Sequence, residues 1–233
     1  MLESALTPIV ADRIWSLERP VWFSGARLLA RTTVVRLDDG GLLLHTPAPP
    51  SEALAEQLRV LGAVRWLVVP NCWHHLGAPA AAARYPEAKV VSPQSALAHN
   101  AALKLDLNIH EPAFGEQVPE FEALPLEGVP FLDETVLYHR PTQTLLGADI
   151  VCWAGARDHW TWRCGARLTG CYERVRVPPD ARKKIADEAA AARSLHAMLE
   201  RPARRLIIGH GEVIEAGCRE QLASAWRQEG VKV

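Results

Sequence analysis

Apolar and polar positions divide most of the chain into short strands and helices. Arg31–Leu37 (RTTVVRL) and Leu42–Pro47 (LLLHTP) flank a Gly-containing turn, DDGG, and predict a hairpin. The upstream run IWSLERPVWF predicts a further strand. PAPP at 47–50 blocks continuation, Ser51 can cap the helix SEALAEQLRVLG with Leu54, Leu58 and Leu61 on one face, and Gly62 stops it. VRWLVVP (64–70) is nearly continuous in apolar residues, as in a strand covered on both faces. PNCWHHLGAP follows, then an Ala-rich helical turn ending at Tyr85-Pro86, the strand KVVS and a helix from about Pro93.

The stretch NIHEPAFGEQVPE reads as irregular. FEALPLEG, ETVLYH and TLLGAD predict three short strands, the last two joined by Arg140–Gln143. Residues 153–177 fit no clean period and read as an irregular Trp/Arg-rich insertion. From Pro178 one long helix is expected, with Ile185, Ala189, Ala192, Leu195 and Leu199 on one side, His196 packed beside that stripe, and Arg182–Lys184, Asp187 and Glu188 on a solvated face. RRLIIGHG and CREQLASAWRQ predict a last strand and helix. With no repeat or low-complexity linker, residues 1–233 read as a single domain.

Composition narrows the class. The chain is 48% hydrophobic and 23% charged with a formal net charge of -1, which gives no electrostatic footprint for nucleic acid. No apolar run approaches the roughly 20 residues that span a bilayer, and MLESALTPIVADRI has acids where a signal peptide needs lysines. A soluble cytoplasmic protein is expected. Cys72, Cys152, Cys164, Cys171 and Cys218 have no CxxC spacing and an odd count, so reduced thiols are the default.

Three predicted strands end alike: LVVP runs into Asn71–His75, LLGA into Asp149, and LIIG into His210-Gly211. Functional groups in layered α/β folds collect beyond strand carboxyl ends, so these endings converge on one rim. His74, His75, Asp149 and His210 supply three imidazoles and a carboxylate, a set suited to zinc or ferrous iron.

These residues resemble the metallo-β-lactamase superfamily in order: an N-terminal hairpin, a His-rich loop after a strand, a strand ending in aspartate, and a final strand ending in histidine. The resemblance covers roughly residues 20–226, with Pro-Asn-x-x-His-His in place of His-x-His-x-Asp-His. It implies an αββα four-layer sandwich. Laying HHLG on the family's Asp-His-x-Gly puts His75 on the loop's last histidine, His74 on its aspartate, Cys72 on the second histidine and Pro70, which has no donor atom, on the first. The later histidine falls at Glu127 or Gly128. Asp149 matches the bridging aspartate and His210 the terminal histidine.

One metal ion per chain is implied, zinc or iron, held by His75, Asp149 and His210, with His74 as a fourth ligand and Cys72 and Glu127 as additional candidates. Three ligands would leave a position for water, lowering its pKa toward a hydroxide nucleophile, whereas four would close the site. The implied activity is hydrolysis of a small ester, lactone, thioester or phosphodiester, with Asp149 positioning the water. The alternative is a metal-binding or ligand-sensing domain without turnover. No flavin or second-iron signature supports redox chemistry. Trp153, Trp160 and Trp162, with Arg157, Arg163 and Arg167, are candidates for a substrate pocket. The expected partner is a small-molecule substrate or ligand, without nucleic acid or membrane and with a homodimer left open.

Overall fold

A computed structural model describes residues 5–233. Residues 1–4, the start of the stretch whose acids argued against a signal peptide, lie outside the described residues. The first half begins with β1 (Thr7–Val10), β2 (Ile14–Phe23), β3 (Ala26–Arg36) and β4 (Leu42–His45). The predicted hairpin is β3–β4, in register Val35↔Leu43. Helix α1 (Glu52–Leu61) starts where Ser51 accepts a hydrogen bond from the Leu54 N–H, and buries Leu54, Ala55 and Leu58. Complete burial of each leucine is worth roughly 1.5–3 kcal/mol.

The chain continues through β5 (Val64–Val68), α2 (Ala78–Arg84), β6 (Lys89–Ser92), α3 (Ala96–His99), β7 (Leu107–Asn108) and α4 (Pro112–Gln117). Strands β1 to β7 form one sheet in sequence order, with β4, β5, β6 and β7 mutually parallel. Parallel strands need covering on both faces, which explains the unbroken apolar run of β5. The stretch 108–120, expected to be irregular, contains α4: Pro112 opens a turn whose Phe114 is wholly buried.

The second half contains β8 (Phe121–Pro125), β9 (Thr135–His139), β10 (Thr144–Leu146), α5 (Trp160–Thr169), α6 (Pro179–Arg182), α7 (Glu188–Glu200), β11 (Arg205–Ile207) and α8 (Cys218–Arg227). A four-stranded sheet has the order β11-β10-β9-β8, with β9–β10 antiparallel and β10–β11 parallel. Contacts group the described residues into two compact units, one running to Arg19 and including 31–123, the other 20–30 with 124–233. The first has a core of aliphatic residues that includes Val34, Leu44, Leu54, Leu58 and Leu67. In the second, Leu28, Cys152, Ala154, Trp162, Ala166 and Cys171 form a smaller cluster.

Four expectations are corrected here. The stretch 153–177 is not irregular throughout: α5 occupies ten residues of it, capped by His159, whose ring nitrogen accepts from the Thr161 N–H, and ended by left-handed Gly170. Its period is masked because Trp160 and Leu168 stay exposed while only Trp162 and Ala166 are buried. The long helix expected from Pro178 is two helices. The Gly128 carbonyl accepts from the N–H groups of Ala186 and Asp187, and the Asp187 side chain then caps α7 through the Ala190 N–H. The buried stripe is Ala190, Ala191, Ser194, Leu195 and Met198, which leaves His196 exposed. Arg182, assigned to a solvated face, instead reaches the carbonyls of Thr169 and Val177.

Replacing the helix cap, Asp187→Ala, should lower stability by about 1 kcal/mol. Urea unfolding of the variant beside the parent checks this, and an unchanged midpoint would remove the cap from the account.

Candidate metal centre

The loop after β5 is shaped by Asn71 before any histidine enters. Its buried side chain accepts from the N–H groups of Trp73 (3.0 Å) and His74 (2.9 Å), turning the chain so that His74 is only partly buried. Two residues past His75, Gly77 passes close to another segment: a Cβ there would lie 2.1 Å from the Pro47 carbonyl oxygen.

His75 faces different partners. The amide of Asn100 takes the Ala102 N–H on its oxygen, so its nitrogen is the atom 3.1 Å from His75 Nδ1, and the imidazole accepts. The ring stacks 6.3 Å from His99, which lies against Trp73. Burial, then the neighbouring His99 and His74, lowers the His75 pKa and favours the neutral ring.

Asp149 follows β10 and is held by its backbone. Glu134, 1% exposed, accepts from the N–H groups of Ala148 (2.8 Å) and Ile150 (3.2 Å) on one oxygen and Asp149 (2.8 Å) on the other. His210 follows β11. Its Nδ1 lies 2.9 Å from the Leu29 carbonyl oxygen, which can only accept, so Nδ1 carries the proton and Nε2 is the nitrogen that faces Asp149 Oδ1 at 3.6 Å. A second imidazole nitrogen tied to a carbonyl is the usual support of a metal-ligating histidine.

Among the described residues, His74, Asp149 and His210 form a candidate metal site, one ligand atom from each lying within 4.8 Å of the others. Two ligands at zinc's bond lengths of about 2.0–2.1 Å stand roughly 3.4 Å apart in tetrahedral geometry, close to the 3.6 Å between His210 and Asp149. The donors therefore fit a divalent ion. His75, Cys72 and Glu127 are outside this group. His75 Nδ1 accepts from Asn100, and Glu127 is exposed with its backbone N–H on Ser194 Oγ. Cys72 is 2% exposed.

Residues 11–157 match the family described as Domain of unknown function (DUF4336). The chain belongs to that family. No curated protein matches it in sequence. In structure, the DUF4336 chain is similar to a metallo-β-lactamase from Erythrobacter litoralis with β-mercaptoethanol in the active site, at 13% identity and TM-score 0.69 over 96% of both chains. It is similar to a metallo-β-lactamase from Pontibacter korlensis at 16% identity and TM-score 0.64, over 96% of this chain and 98% of that one. FIM-1 from Pseudomonas aeruginosa in its mono-zinc form aligns over 100% and 99% at 12% identity and TM-score 0.64. The fold is the metallo-β-lactamase fold, in a divergent sequence.

The three tryptophans of the DUF4336 chain part company. Trp162 is packed in the small core with Leu28 and Ala166 and is not among the residues that line the cavity beside Trp153. Trp160 is 65% exposed beside the His159 ring. Trp153 lines a cavity of about 410 Å³ with Val175, Glu212, Ile214, Glu215 and Gln221, and its backbone N–H donates to the His210 carbonyl. Gly211 allows that approach, since a Cβ there would meet Trp153 Cβ at 2.8 Å. No helix among the described residues is long and apolar enough to cross a membrane.

Sequence reading passed over Glu134, Asn71 and His45. Asn71 and the acid in LDETVLYH had a visible signal, a polar residue beside a strand end, but not a distinguishing one. His45 is buried at the end of β4 with Nε2 lacking a hydrogen-bond partner, and burial followed by nearby His74 pushes its pKa down to about 3.

Glu134→Gln would set an amide nitrogen against backbone donors and should cost about 2–4 kcal/mol in urea unfolding. A loss below about 0.5 kcal/mol would remove Glu134 as the loop's anchor. For His45, the unfolded pKa of 6.5 exceeds the folded one, so the unfolded chain takes up the proton first and stability falls as pH drops from 6.5 toward about 3. A melting series across that window should be flatter for His45→Gln than for the parent.

Proposed function

We propose that this chain is a metal-dependent hydrolase of a small ester, lactone, thioester or phosphodiester, with one zinc ion as the favoured metal. The observation that carries the reading is the trio His74, Asp149 and His210, two imidazoles and a carboxylate with ligand atoms within 4.8 Å. His74 and His210 would hold the ion through ring nitrogen and Asp149 through carboxylate oxygen. When bound there, zinc would supply Lewis acidity to the scissile carbonyl or phosphoryl group.

The remaining work falls to the chain. Leu29 keeps the His210 proton on Nδ1, so the ring presents a lone pair. Glu134 fixes the Asp149 backbone, so its carboxylate can hold the attacking water in line and receive a hydrogen bond from it. Trp153 would give the substrate an apolar wall beside His210. The mono-zinc form of FIM-1 favours one ion. Five free cysteines suit a cytoplasmic setting.

A second reading is a metal-binding domain without turnover. It is favoured by the altered loop, in which Pro70 supplies no donor and His75 Nδ1 is held by Asn100.

Metal analysis of the purified protein should find near one equivalent. Less than about a tenth of an equivalent, with no uptake on zinc titration, would sink both readings. His210→Ala should weaken zinc binding at least about tenfold in a chelator competition. Turnover of an ester, lactone, thioester or phosphodiester by the loaded protein separates the hydrolase from the binding domain.

A further inference from the structure

The segment after Asp149 holds a second chemical feature that the proposed hydrolysis does not use. Cys152 pairs with Arg176 through two backbone hydrogen bonds of 2.8 and 3.1 Å, and Ala154 donates its N–H to the Cys171 carbonyl at 3.0 Å. These contacts place the Sγ atoms of Cys152 and Cys171 3.5 Å apart, both buried. A disulfide bond is about 2.05 Å long, so each sulfur would need to move by only about 0.7 Å.

The surroundings of Cys171 are not those of an inert core thiol. Its sulfur is 3.7 Å from Arg182 Nη2 and 3.7 Å from the Thr169 hydroxyl, and accepts from the Cys152 thiol. Arg182 and Arg176 share a single carboxylate, Glu229, at 3.8 and 2.9 Å, with all three side chains at most 18% exposed. A Cys171 thiolate would set a second negative charge beside these two largely buried cations. Donation from Cys152 foremost, with Thr169, Arg182 and Arg176, lowers the Cys171 pKa, while Cys152 as donor is raised, with burial and Asp149 adding to its rise.

We infer that Cys152 and Cys171 form a peroxide-sensitive dithiol that closes to an internal disulfide. Cys171 thiolate attacks one oxygen of hydrogen peroxide; the O–O bond breaks, hydroxide leaves, and Cys171 becomes a sulfenic acid. The Cys152 sulfur then attacks the Cys171 sulfur: the S–S bond forms, the S–O bond breaks, and the departing oxygen leaves as water with the Cys152 proton. The two sulfurs lose two electrons, and peroxide, with the proton that neutralises the first hydroxide, is reduced to two waters. Burial selects the oxidant by size. Peroxide is scarcely larger than water, whereas an aromatic disulfide reagent should react in the native fold only with Cys164, the exposed cysteine.

The inference needs no metal, so its test is run on the reduced, full-length protein with a chelator present. After brief exposure to hydrogen peroxide, a catalase quench and unfolding in N-ethylmaleimide, the intact mass should show two fewer of the five possible adducts than the untreated control. Peptide mapping should find Cys152 linked to Cys171, and dithiothreitol should restore all five adducts. In Cys152→Ser, oxidation should stop at a Cys171 sulfenic acid that dimedone traps. Five adducts after treatment, oxygen added without a link, or a link through Cys164 would overturn the proposal. The wild-type mass and map decide it even if the variant does not fold.

Discussion

Glu134 is almost entirely withdrawn from water, yet its carboxylate is supplied with backbone N–H groups from three successive residues, Ala148, Asp149 and Ile150. An ionised group in such a place is tolerable only when donors surround it, and each charge-assisted bond is stronger than a neutral one. The constraint acts in both directions. The acid requires that turn after β10, and the turn requires an acid just before β9. Gly147 completes the fit, because a Cβ there would press on Ile150 Cγ2 at 2.7 Å. Asp149 therefore leaves the sheet from a backbone with little freedom.

The other two members of the trio are held by similar means. Asn71 folds the loop that carries His74, and the Leu29 carbonyl selects the tautomer of His210. In each case the group that meets a ligand would be aligned by a neighbour with a single available role: a carboxylate or carbonyl that only accepts, or an amide whose orientation its own partners determine. Preorganisation of this kind lowers the reorganisation that binding would otherwise require.

Legibility in the sequence followed the locality of the cause. Strands β2, β5 and β6 and helix α1 could be read because their patterns and caps lie within a few residues, as with Ser51 and Leu54. The break between α6 and α7 could not, since Gly128, almost sixty positions upstream, supplies the carbonyl that takes the Ala186 and Asp187 N–H groups just before α7. Helix α5 was obscured by exposed Trp160 and Leu168, which mimic core positions. For the site, strand endings pointed to His74, Asp149 and His210, but nothing local marks the Asn100 amide as the partner of His75. The resemblance favoured His75, whereas His74 is the ring grouped with Asp149 and His210 among the described residues.

The bond between Leu29 and His210 joins residues 181 positions apart. During synthesis, the acceptor is made among the first strands, while the imidazole it orients emerges near the end of the chain. Contacts of such separation bear the full entropy of closing a long loop and tend to form late. The nitrogen that His210 would offer a metal is thus fixed only by finished folding: any metal reaching a partly made chain would meet an imidazole free to offer either nitrogen.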